Sequence, residues 1–509
     1  MKNIITSLLV LTSLFSYAQN AALDPVFGNA GYSVHPSPYT AEINCFAFDN
    51  DSNIISAGYA NQGGSGTYNY RLTLTKTDSD GILDTNFGNN GMATTQIEYS
   101  EAPIQIAIQP DGKIIVVGET NLGPTPISPG TYIGFAVRYN SDGSLDTSFA
   151  TNGIYKLPSS RLFNSIILLS DGSIILGGST NTDGFLVKLD SNGVEDSLFG
   201  TNGVLFLSST SFPFTLSRAT LLSDGKILCI GNNSDIINSK AAYCKLDIQG
   251  NFDTAFGTNG KVVEDLFNGV IYTFEVLRNA DELSDGTIVI EGGLVGSTIS
   301  NFLFKINSDG SFDNSFGNNG IIYHSYPTQG GFEIQPNDKI LIAGTKMIGT
   351  GNLAYSVTRL DSDGSLDTTF NNGNGFVDVD ATPEDDYVHY IKSQAPDTLI
   401  IGGASKLNTM NVGNFTLARV LLNTPLSIEE PLEQNIKIYP NPFKEQFVIE
   451  DAEQIIEEIK IFDNTGRMIK AISNPTPVQE IHADFSSGIY YINIMAKDGR
   501  IMNKKMIKN

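Results

Sequence analysis

Tryptophan is absent from this chain of 509 residues, and cysteine and histidine are scarce, with three and four copies. An exported protein held together by disulfides normally has more cysteines, and an even number of them. Cys229 and Cys244 fall on neighbouring expected strands, so a disulfide between them and a pair of buried free thiols both stay open. The four histidines (His35, His324, His389 and His482) have no zinc-type spacing.

Long apolar runs are missing beyond the first residues, and none reaches the roughly 18 apolar residues of a membrane span. Residues 1–18 instead read as a secretory signal peptide, with Lys2 as the positive region and Ile4 to Phe15 as the apolar region. Ser16-Tyr17-Ala18 supplies a small-x-small cleavage site before Gln19. We expect the mature protein to leave the cytoplasm and to lack a transmembrane helix.

Basic residues are also few, since the net charge is −24. Residues 435–509 contain ten basic and ten acidic side chains, so all of the net charge arises before them. An acidic surface repels phosphate backbones, because nucleic-acid affinity depends on Lys and Arg neutralising phosphates. Nucleic acid is therefore not an expected partner.

The chain has fifty glycines, and a glycine-rich motif recurs seven times at spacings of 50 to 62 residues. Its general form is LDxxF followed by Gly, Asn and Gly. The motif phenylalanines are Phe27, Phe87, Phe149, Phe199, Phe256, Phe316 and Phe370. We expect the motif leucine and phenylalanine to pack between repeats and the aspartate to bond to the following turn. Each motif phenylalanine would then be part of the scaffold.

Each repeat also contains four strand-like stretches. One follows the NG of the motif, a second leads to a polar turn, a third reads like DGKIIVVG from Asp111, and a fourth ends in a cation such as Arg138. Asp-Gly before an apolar run marks a hairpin. Four short strands per repeat, arranged radially, make a β-propeller. The sequence predicts an all-β protein with a seven-bladed propeller over residues 19–422, in which the segment from Leu23 completes the last blade.

The second repeat, with DGKIIVVG and FAVRYNSDGSLDTSF, closely resembles the delta-60 repeat family. The resemblance covers all seven repeats and implies a β-propeller. It departs locally, because Glu195 replaces the motif leucine and Pro396-Asp397 begins the third strand of the last repeat.

Residues 423–434 read as a linker, and residues 435–509 as a small β-sandwich with PNP, NTG and KDG turns. This tail resembles the type A sorting domain of the type IX secretion system. The residues that carry the resemblance are Tyr439, Pro440, Asn441, Pro442, Gly466, Arg467, Gly488, Tyr490, Lys504 and Lys505. The resemblance implies export through the periplasm, the secretion machinery as a partner, and a final location at the outer surface or in the medium.

Candidate chemistry is sparse. Asp-rich turns, with Asp78 and Asp80 in one repeat and Asp361 and Asp363 in another, could bind Ca²⁺ through oxygen ligands, although Asx-stabilised hairpin turns explain them better. His389 lies beside Glu384, Asp385 and Asp386, which could tune an acid or a base. No GxSxG nucleophile motif and no P-loop occur, and no other cofactor is indicated.

Three insertions, Gly58 to Tyr70, Glu119 to Tyr132 and Thr345 to Tyr355, are rich in Gly, Thr, Asn and Tyr, a composition suited to sugars or peptides. The sequence favours a non-catalytic binding module for a polysaccharide or a protein over an enzyme. The alternatives are a propeller glycan lyase or hydrolase with carboxylates in the channel, and a structural surface component.

Overall fold

The computed structural model describes residues 19–35, 40–62, 69–123, 132–158, 160–233, 239–267, 274–295, 300–324, 331–348, 352–407, 412–425, 436–451, 454–463, 467–497 and 501–509. The expected signal peptide, most of the expected linker and the middle of each of the three insertions lie outside these residues. The chain divides into two compact units, residues 1–425 and 426–509. No described helix is both long and apolar enough to cross a membrane.

The first unit opens with β1 (Gln19–Leu23) and β2 (Tyr32–His35), and seven sheets, or blades, follow in the described part of the chain. Blade 1 is β3 (Ala41–Phe48), β4 (Ile54–Asn61), β5 (Tyr70–Thr77) and β6 (Met92–Thr95), and blade 2 is β7 (Ser100–Ile108), β8 (Ile114–Asn121), β9 (Tyr132–Tyr139) and β10 (Ile154–Lys156). Blade 3 is β11 (Leu162–Leu168), β12 (Ile174–Ser179), β13 (Gly184–Leu189) and β14 (Val204–Phe206), and blade 4 is β15 (Thr215–Leu221), β16 (Ile227–Asn232), β17 (Ala241–Leu246) and β18 (Lys261–Glu264). Blade 5 is β19 (Phe274–Glu282), β20 (Ile288–Val295), β21 (Ser300–Ile306) and β22 (Ile321–His324), and blade 6 is β23 (Phe332–Ile334), β24 (Ile340–Ile348), β25 (Asn352–Leu360) and β26 (Phe376–Val379), with a 3₁₀ turn at Asn371–Gly373. Blade 7 is β27 (Asp385–Ala395), β28 (Thr398–Leu407) and β29 (Val412–Pro425).

The blades form a closed ring. Their first strands (β3, β7, β11, β15, β19, β23 and β27) neighbour one another in succession, and β27 also neighbours β3. Blade 7 is completed by the start of the chain, because Leu23 pairs with Val420 and His35 pairs with Phe415 of β29. This is a β-propeller, and the all-β prediction is confirmed.

The blades differ from the sequence repeats in phase by one strand. The strand that follows the NG of each motif pairs with the strand before the motif, as Ile154 of β10 pairs with Val137 of β9. The motif forms a short connection between two strands that pair antiparallel, so the strand after the motif stays in the same sheet as the strand before it. Each such strand is therefore the outermost strand of the preceding blade.

Neighbouring blades share cores, which explains the continuous apolar runs in the second strands. Ile115 and Val117 of blade 2 pack in one cluster with Leu176 and Val187 of blade 3, and all four are fully buried. A strand that is covered on both faces needs apolar residues at every position rather than at alternate ones.

The LDxxF motif ties each blade to the next. The ring of Phe149 is fully buried and lies against Gly193, where an added Cβ would come within 2.7 Å of it. Arg138 lies 4.6 Å above this ring, donates from Nε to Asp146 at 2.7 Å, and contacts the carbonyl of Ser191 in blade 3. We call this arrangement of cation, aspartate, phenylalanine and next-blade carbonyl the cation bridge.

The motif leucine packs between blades in some repeats, since Leu145 lies against the core shared by blades 1 and 2 and Leu23 against the core shared by blades 6 and 7. The last motif differs. Leu366 is 44% exposed, and it covers Gly375 of the turn, where an added Cβ would lie 2.3 Å from Leu366 Cγ. The aspartate does bond to the following turn, since Asp146 Oδ1 accepts the Ser148 hydroxyl at 2.6 Å.

The second unit has two sheets. One is β30 (Ile436–Tyr439), β31 (Gln446–Asp451) and β34 (Val478–His482), and the other is β32 (Ile456–Asp463), β33 (Met468–Ser473), β35 (Gly488–Ala496) and β36 (Ile501–Lys508). Ile449 of the first sheet and Ile461 and Ile492 of the second share one buried cluster. The expected β-sandwich is thus present.

Candidate functional site

The centre of the ring is a channel of about 340 Å³ lined by the first strands of blades 2 to 7. Its wall carries Arg218, Asp281, Glu333 and Lys392. Burial raises the pKa of both Asp281 and Glu333. These are the channel carboxylates that a propeller hydrolase or lyase would use.

Both channel carboxylates are engaged between blades. Glu333 Oε2 accepts the backbone N–H of Ser393 at 2.6 Å and its hydroxyl at 2.8 Å, which joins blade 6 to blade 7. Asp281 Oδ2 accepts the N–H of Ile334 at 3.3 Å, which joins blade 5 to blade 6. The described channel acids therefore brace the ring.

A second polar group lies where blade 7 meets blade 1. Glu42 of β3 faces His389 of β27, with 3.3 Å between Glu42 Oε2 and His389 Nε2. Lys406 Nζ of β28 is 3.8 Å from Glu42 Oε1, and the Tyr59 phenol, directly opposite on β4, hydrogen-bonds to the same carboxylate. We call Glu42, Tyr59, His389 and Lys406 the seam cluster.

The seam cluster is half-buried and accessible, since the side chains of His389 and Glu42 are 17% and 14% exposed. Burial raises the pKa of Glu42, but the hydrogen bond and charge of His389, the charge of Lys406 and the hydrogen bond of Tyr59 outweigh it, so the net pKa is lowered. Burial and the neighbouring Glu42 raise the pKa of the Tyr59 phenol. The cluster therefore presents an anion, a phenol O–H, an imidazole and an ammonium side by side.

Aromatic rings flank this cluster. The Tyr70 ring meets the Tyr59 ring edge-on with 4.8 Å between centroids, and Lys406 Nζ lies 4.1 Å from the centre of the Tyr387 ring. Such rings offer apolar faces beside polar groups. The combination suits a ligand with both hydroxyls and apolar ring faces.

The seam cluster breaks the repeat. The register positions that correspond to Glu42 in the other described first strands are uncharged, namely Ala102, Leu162, Thr215, Val276 and Tyr387. A scaffold role would be expected in every blade, whereas among the five other blades in which this position is described none has a carboxylate there.

Two of the acidic residues near His389 in sequence, Asp385 and Asp386, make hydrogen bonds elsewhere. Asp386 is buried and accepts the N–H groups of Ala381 and Thr382 at 2.9 and 3.0 Å, and burial raises its pKa to about 6. Asp385 accepts the N–H of Leu353 at 2.9 Å. Asp386 thus holds the loop before β27 and Asp385 bonds to β25, and neither of these hydrogen bonds involves His389.

The first predicted calcium pair lies in a turn of blade 1. Asp78 Oδ1 accepts the N–H of Asp80 at 3.0 Å and that of Ile82 at 2.8 Å, as in an Asx turn. Asp80 Oδ1 is 3.4 Å from Arg419 Nη1. A cation of the protein is therefore already close to this pair.

The second pair lies in the equivalent turn of blade 6. Asp363 Oδ1 accepts the N–H and the hydroxyl of Ser365 at 2.8 and 2.7 Å, and Asp361 contacts Lys339. Across the described ranges, no group of three or more His, Cys, Asp and Glu is placed to hold a metal ion. Calcium binding at these turns stays a prediction.

The three cysteines are free and buried, including Cys229 and Cys244, which face each other on β16 and β17. Cys229 and Cys244 contribute apolar volume to the core between blades 3 and 4, and Cys45 to the core between blades 1 and 2.

Several residues of the predicted sorting motif interact within the second unit. Asn441 donates from Nδ2 to the carbonyl of Lys505 at 2.8 Å and accepts the N–H of Ile507 at 2.9 Å. Tyr490 donates its hydroxyl to the carbonyl of Ser486 at 2.6 Å. The PNP segment is thus attached to the last strand.

The remaining motif positions lie at the surface of this unit. Tyr439 is exposed, as are Pro440, Pro442, Arg467, Gly488 and Lys505, and Lys504 is half-buried. Arg467 Nε is 3.1 Å from Asp463 Oδ2, and Gly466 lies outside the described residues.

Sequence reasoning missed Glu42 and Lys406, whereas Tyr59 and Tyr70 lie in the insertion Gly58 to Tyr70 whose composition suits sugars. For Glu42, the signal in the sequence is its charge at a strand position that is uncharged in the other described blades. The pairing of Glu42 with His389 requires the ring to close, and no local pattern shows that.

Comparison with known proteins agrees with this organisation. Residues 437–509 match the secretion system C-terminal sorting domain. Residues 109–125, 134–149, 169–199, 283–316 and 335–370 match a β-propeller domain of unknown function, DUF5122.

Two curated relatives are similar over short stretches. The chain is 30% identical over 93 residues to ulvan lyase NLR42 of Nonlabens ulvanivorans, covering 18% of this chain and 17% of the lyase. It is 30% identical over 87 residues to β-agarase A of Zobellia galactanivorans, covering 17% and 16%. The chain thus spans about a sixth of the length of these relatives.

Among solved structures, a protein of unknown function from Dyadobacter fermentans aligns with a TM-score of 0.44 and 9% identity, over 77% of this chain and 98% of that one. A likeness this distant supports no functional inference. The family matches, the repeats and the ring together show a β-propeller that contains DUF5122-type repeats, also called delta-60 repeats, and a C-terminal type IX sorting domain, which indicates secretion or attachment at the outer surface.

Proposed function

We propose that this protein is a non-catalytic extracellular binding module that recognises a polysaccharide at the seam cluster. The observation that carries the proposal is the meeting of Glu42, Tyr59, His389 and Lys406 on two blades that close the ring. The sorting domain delivers the propeller to a place where polysaccharides occur. A scaffold role for the cluster would not explain its restriction to one junction.

The side chains of the cluster match the needs of a sugar. A sugar hydroxyl both donates and accepts, so it pairs with a carboxylate on one side and with an ammonium or imidazole on the other. The flanking tyrosine rings supply apolar contact for a pyranose face. The net charge of −24 favours a neutral chain over a polyanion.

Affinity measurements on the mature full-length chain test this proposal. The probes are agarose and ulvan oligosaccharides, since the curated relatives are an agarase and an ulvan lyase. We expect binding of the neutral agarose fragments, with a loss of about tenfold or more in Glu42→Gln and Tyr59→Phe, because each removes a polar contact worth on the order of 1.5 kcal/mol. Asp111→Asn, in an exposed turn at the other end of a blade, is the control and should bind like the parent.

A polysaccharide lyase or hydrolase is the second candidate. It is favoured by one observation, that His389 and Tyr59 both contact the Glu42 carboxylate and so place acid–base groups together. Release of new reducing ends or unsaturated ends from a bound polysaccharide, abolished by His389→Ala, would establish catalysis. A protein partner or a structural surface role would follow if no polysaccharide binds.

A further inference from the structure

The end of the ring that lies opposite the seam cluster contains two grooves at successive blade junctions. The first strand β3 runs away from Glu42, so the motif turns after the third strands lie at the other end. One groove, of about 730 Å³, lies between blades 4 and 5, and the other, of about 480 Å³, lies between blades 5 and 6. We call them the rim grooves.

The rim grooves have the same construction. Each is bounded by a motif turn, by the outer strand that follows it and by the Asp-Gly-Ser turn of the next blade. Corresponding residues line both, with Gly257 matching Gly317 and Asp309 matching Asp363. The binding groups that line one groove therefore recur in the groove of the next blade junction.

Polar groups in both grooves are fixed in position. Asp309 Oδ1 accepts the N–H and hydroxyl of Ser311 at 2.9 and 2.7 Å, as Asp363 does with Ser365 at 2.8 and 2.7 Å. These bonds hold the serine hydroxyls in place at the groove wall. Thr258 and Asn318 add a hydroxyl and an amide at the equivalent motif position.

Apolar groups stand at the outer edge of the same grooves. Tyr323 is 59% exposed in the second groove, and Val263 is 44% exposed at the same strand position in the first. In the first groove Lys261 Nζ lies 4.1 Å from the ring centre of Phe252 and 5.3 Å from that of Phe212. Hydroxyls, an amide and exposed apolar surface together suit a sugar ring.

The repeated construction of the two rim grooves favours a ligand that is itself a chain of repeated units. A chain of identical units presents the same groups at regular intervals, so it can occupy both grooves at once and gain avidity. A polyanion is disfavoured by the net charge of −24. We propose that the rim grooves bind successive segments of one neutral polysaccharide chain, as a surface separate from the seam cluster. The inference shares only its ligand class with the proposed function.

The test compares long agarose chains with agarotetraose on the mature full-length protein. Tyr323→Ala removes the ring from the second groove, and Thr258→Trp fills the first. We expect each variant to bind the long chains at least tenfold more weakly and agarotetraose as the parent does, because the short ligand is bound at the seam cluster. Thr254→Trp adds the same side chain to an exposed motif residue that does not line the groove, and it should bind like the parent.

The outcomes separate the two proposals. Equal affinity of both groove variants and the parent for long chains overturns the rim grooves, as does an equal loss in Thr254→Trp. If the affinity of the parent protein does not increase with the length of the agarose chain, the rim-groove proposal is overturned as well, but the proposal for the seam cluster is not. Absence of agarose binding at any length overturns both. Melting temperatures within about 1 °C of the parent show that the exposed variants fold.

Discussion

Arg419 donates from Nε to Asp24 at 2.8 Å, although the two residues are 395 positions apart. Arg419 also lies 4.9 Å above the ring of Phe27 and donates to the carbonyl of Ser79 in blade 1 at 2.6 Å. Within blade 2 the same cation bridge joins residues only eight positions apart, Arg138 and Asp146. The ring is therefore closed by the contact that joins its blades elsewhere.

Removing this contact should open the ring at its start. Both side chains are about nine-tenths buried, so Asp24→Asn leaves Arg419 with only the more distant and largely exposed carboxylate of Asp80 and should lower the free energy of unfolding by about 3 kcal/mol. Urea unfolding of the full-length protein measures the change. Hydrogen exchange should rise in residues 19–35, which form the closing strands.

Asp146→Asn is the matched control, because it breaks a cation bridge in which the cation and the aspartate, Arg138 and Asp146, both belong to blade 2. It should destabilise the propeller without a selective rise of exchange in residues 19–35. Equal exchange of this segment in the two variants would contradict a closing role for Asp24.

The motif phenylalanine is expected to dominate the contacts between blades. Phe149→Ala removes a fully buried ring and should lower the free energy of unfolding by about 3–5 kcal/mol. Leu198→Ala, in the next motif, changes a side chain that is 92% exposed and should stay within about 0.5 kcal/mol of the parent. If Phe149→Ala melts like Leu198→Ala, the motif is not a packing element.

The stability of the propeller should fall as the pH rises towards neutrality, through Glu291. This side chain is fully buried, at a position occupied by Ala57, Val117, Ile230 or another small or apolar residue in the other blades. Burial raises its pKa from 4.5 to about 7, against the opposing charges of Arg278 and Arg218.

Only the folded state keeps this proton between pH 4.5 and 7. The stabilisation is thus complete below 4.5 and is lost as the pH rises through 7, a change of about 3 kcal/mol. Glu291→Gln removes the titration, so the melting temperatures of parent and variant should diverge by roughly 3 °C between pH 5 and 8. Parallel pH profiles would show that the carboxyl does not titrate in this range. Glu275 also has a pKa raised to about 7 by burial. Because it is present in both proteins, its titration does not contribute to the difference between their melting temperatures.

Calcium should not change the stability. The carboxylates of Asp78 and Asp363 already accept backbone N–H groups of their own turns, and a cation of the protein contacts each pair. Melting temperatures in Ca²⁺ and in chelator should agree within about 1 °C. A drop of several degrees in chelator would establish a bound ion and contradict the Asx interpretation.

The sequence predicts the ring because the information is local and repeated. Asp-Gly turns and apolar runs recur in each blade, and the missing motif after the last strand calls for the segment at Leu23. The expected packing of the motif leucine at the blade interface holds for Leu145 but not for Leu366, which is exposed over its turn, and its apolar nature alone does not distinguish the two.

The seam cluster required the structure. Glu42 and His389 are brought together by closure of the ring. The acids near His389 in sequence, Asp385 and Asp386, bond to Leu353 and Ala381 instead. In the sequence, the charge of Glu42 at an otherwise uncharged blade position and the tyrosine-containing insertion Gly58 to Tyr70 mark the site.

Hydrogen exchange of the mature full-length protein, with and without agarotetraose at saturating concentration, tests ligand binding at the seam most directly. We expect agarotetraose to slow exchange at the starts of β3 and β27 and at the ends of β4 and β28, where the seam cluster lies. This protection should be lost in Glu42→Gln. Protection that is absent there, or that persists unchanged in the variant, would contradict binding at the seam cluster.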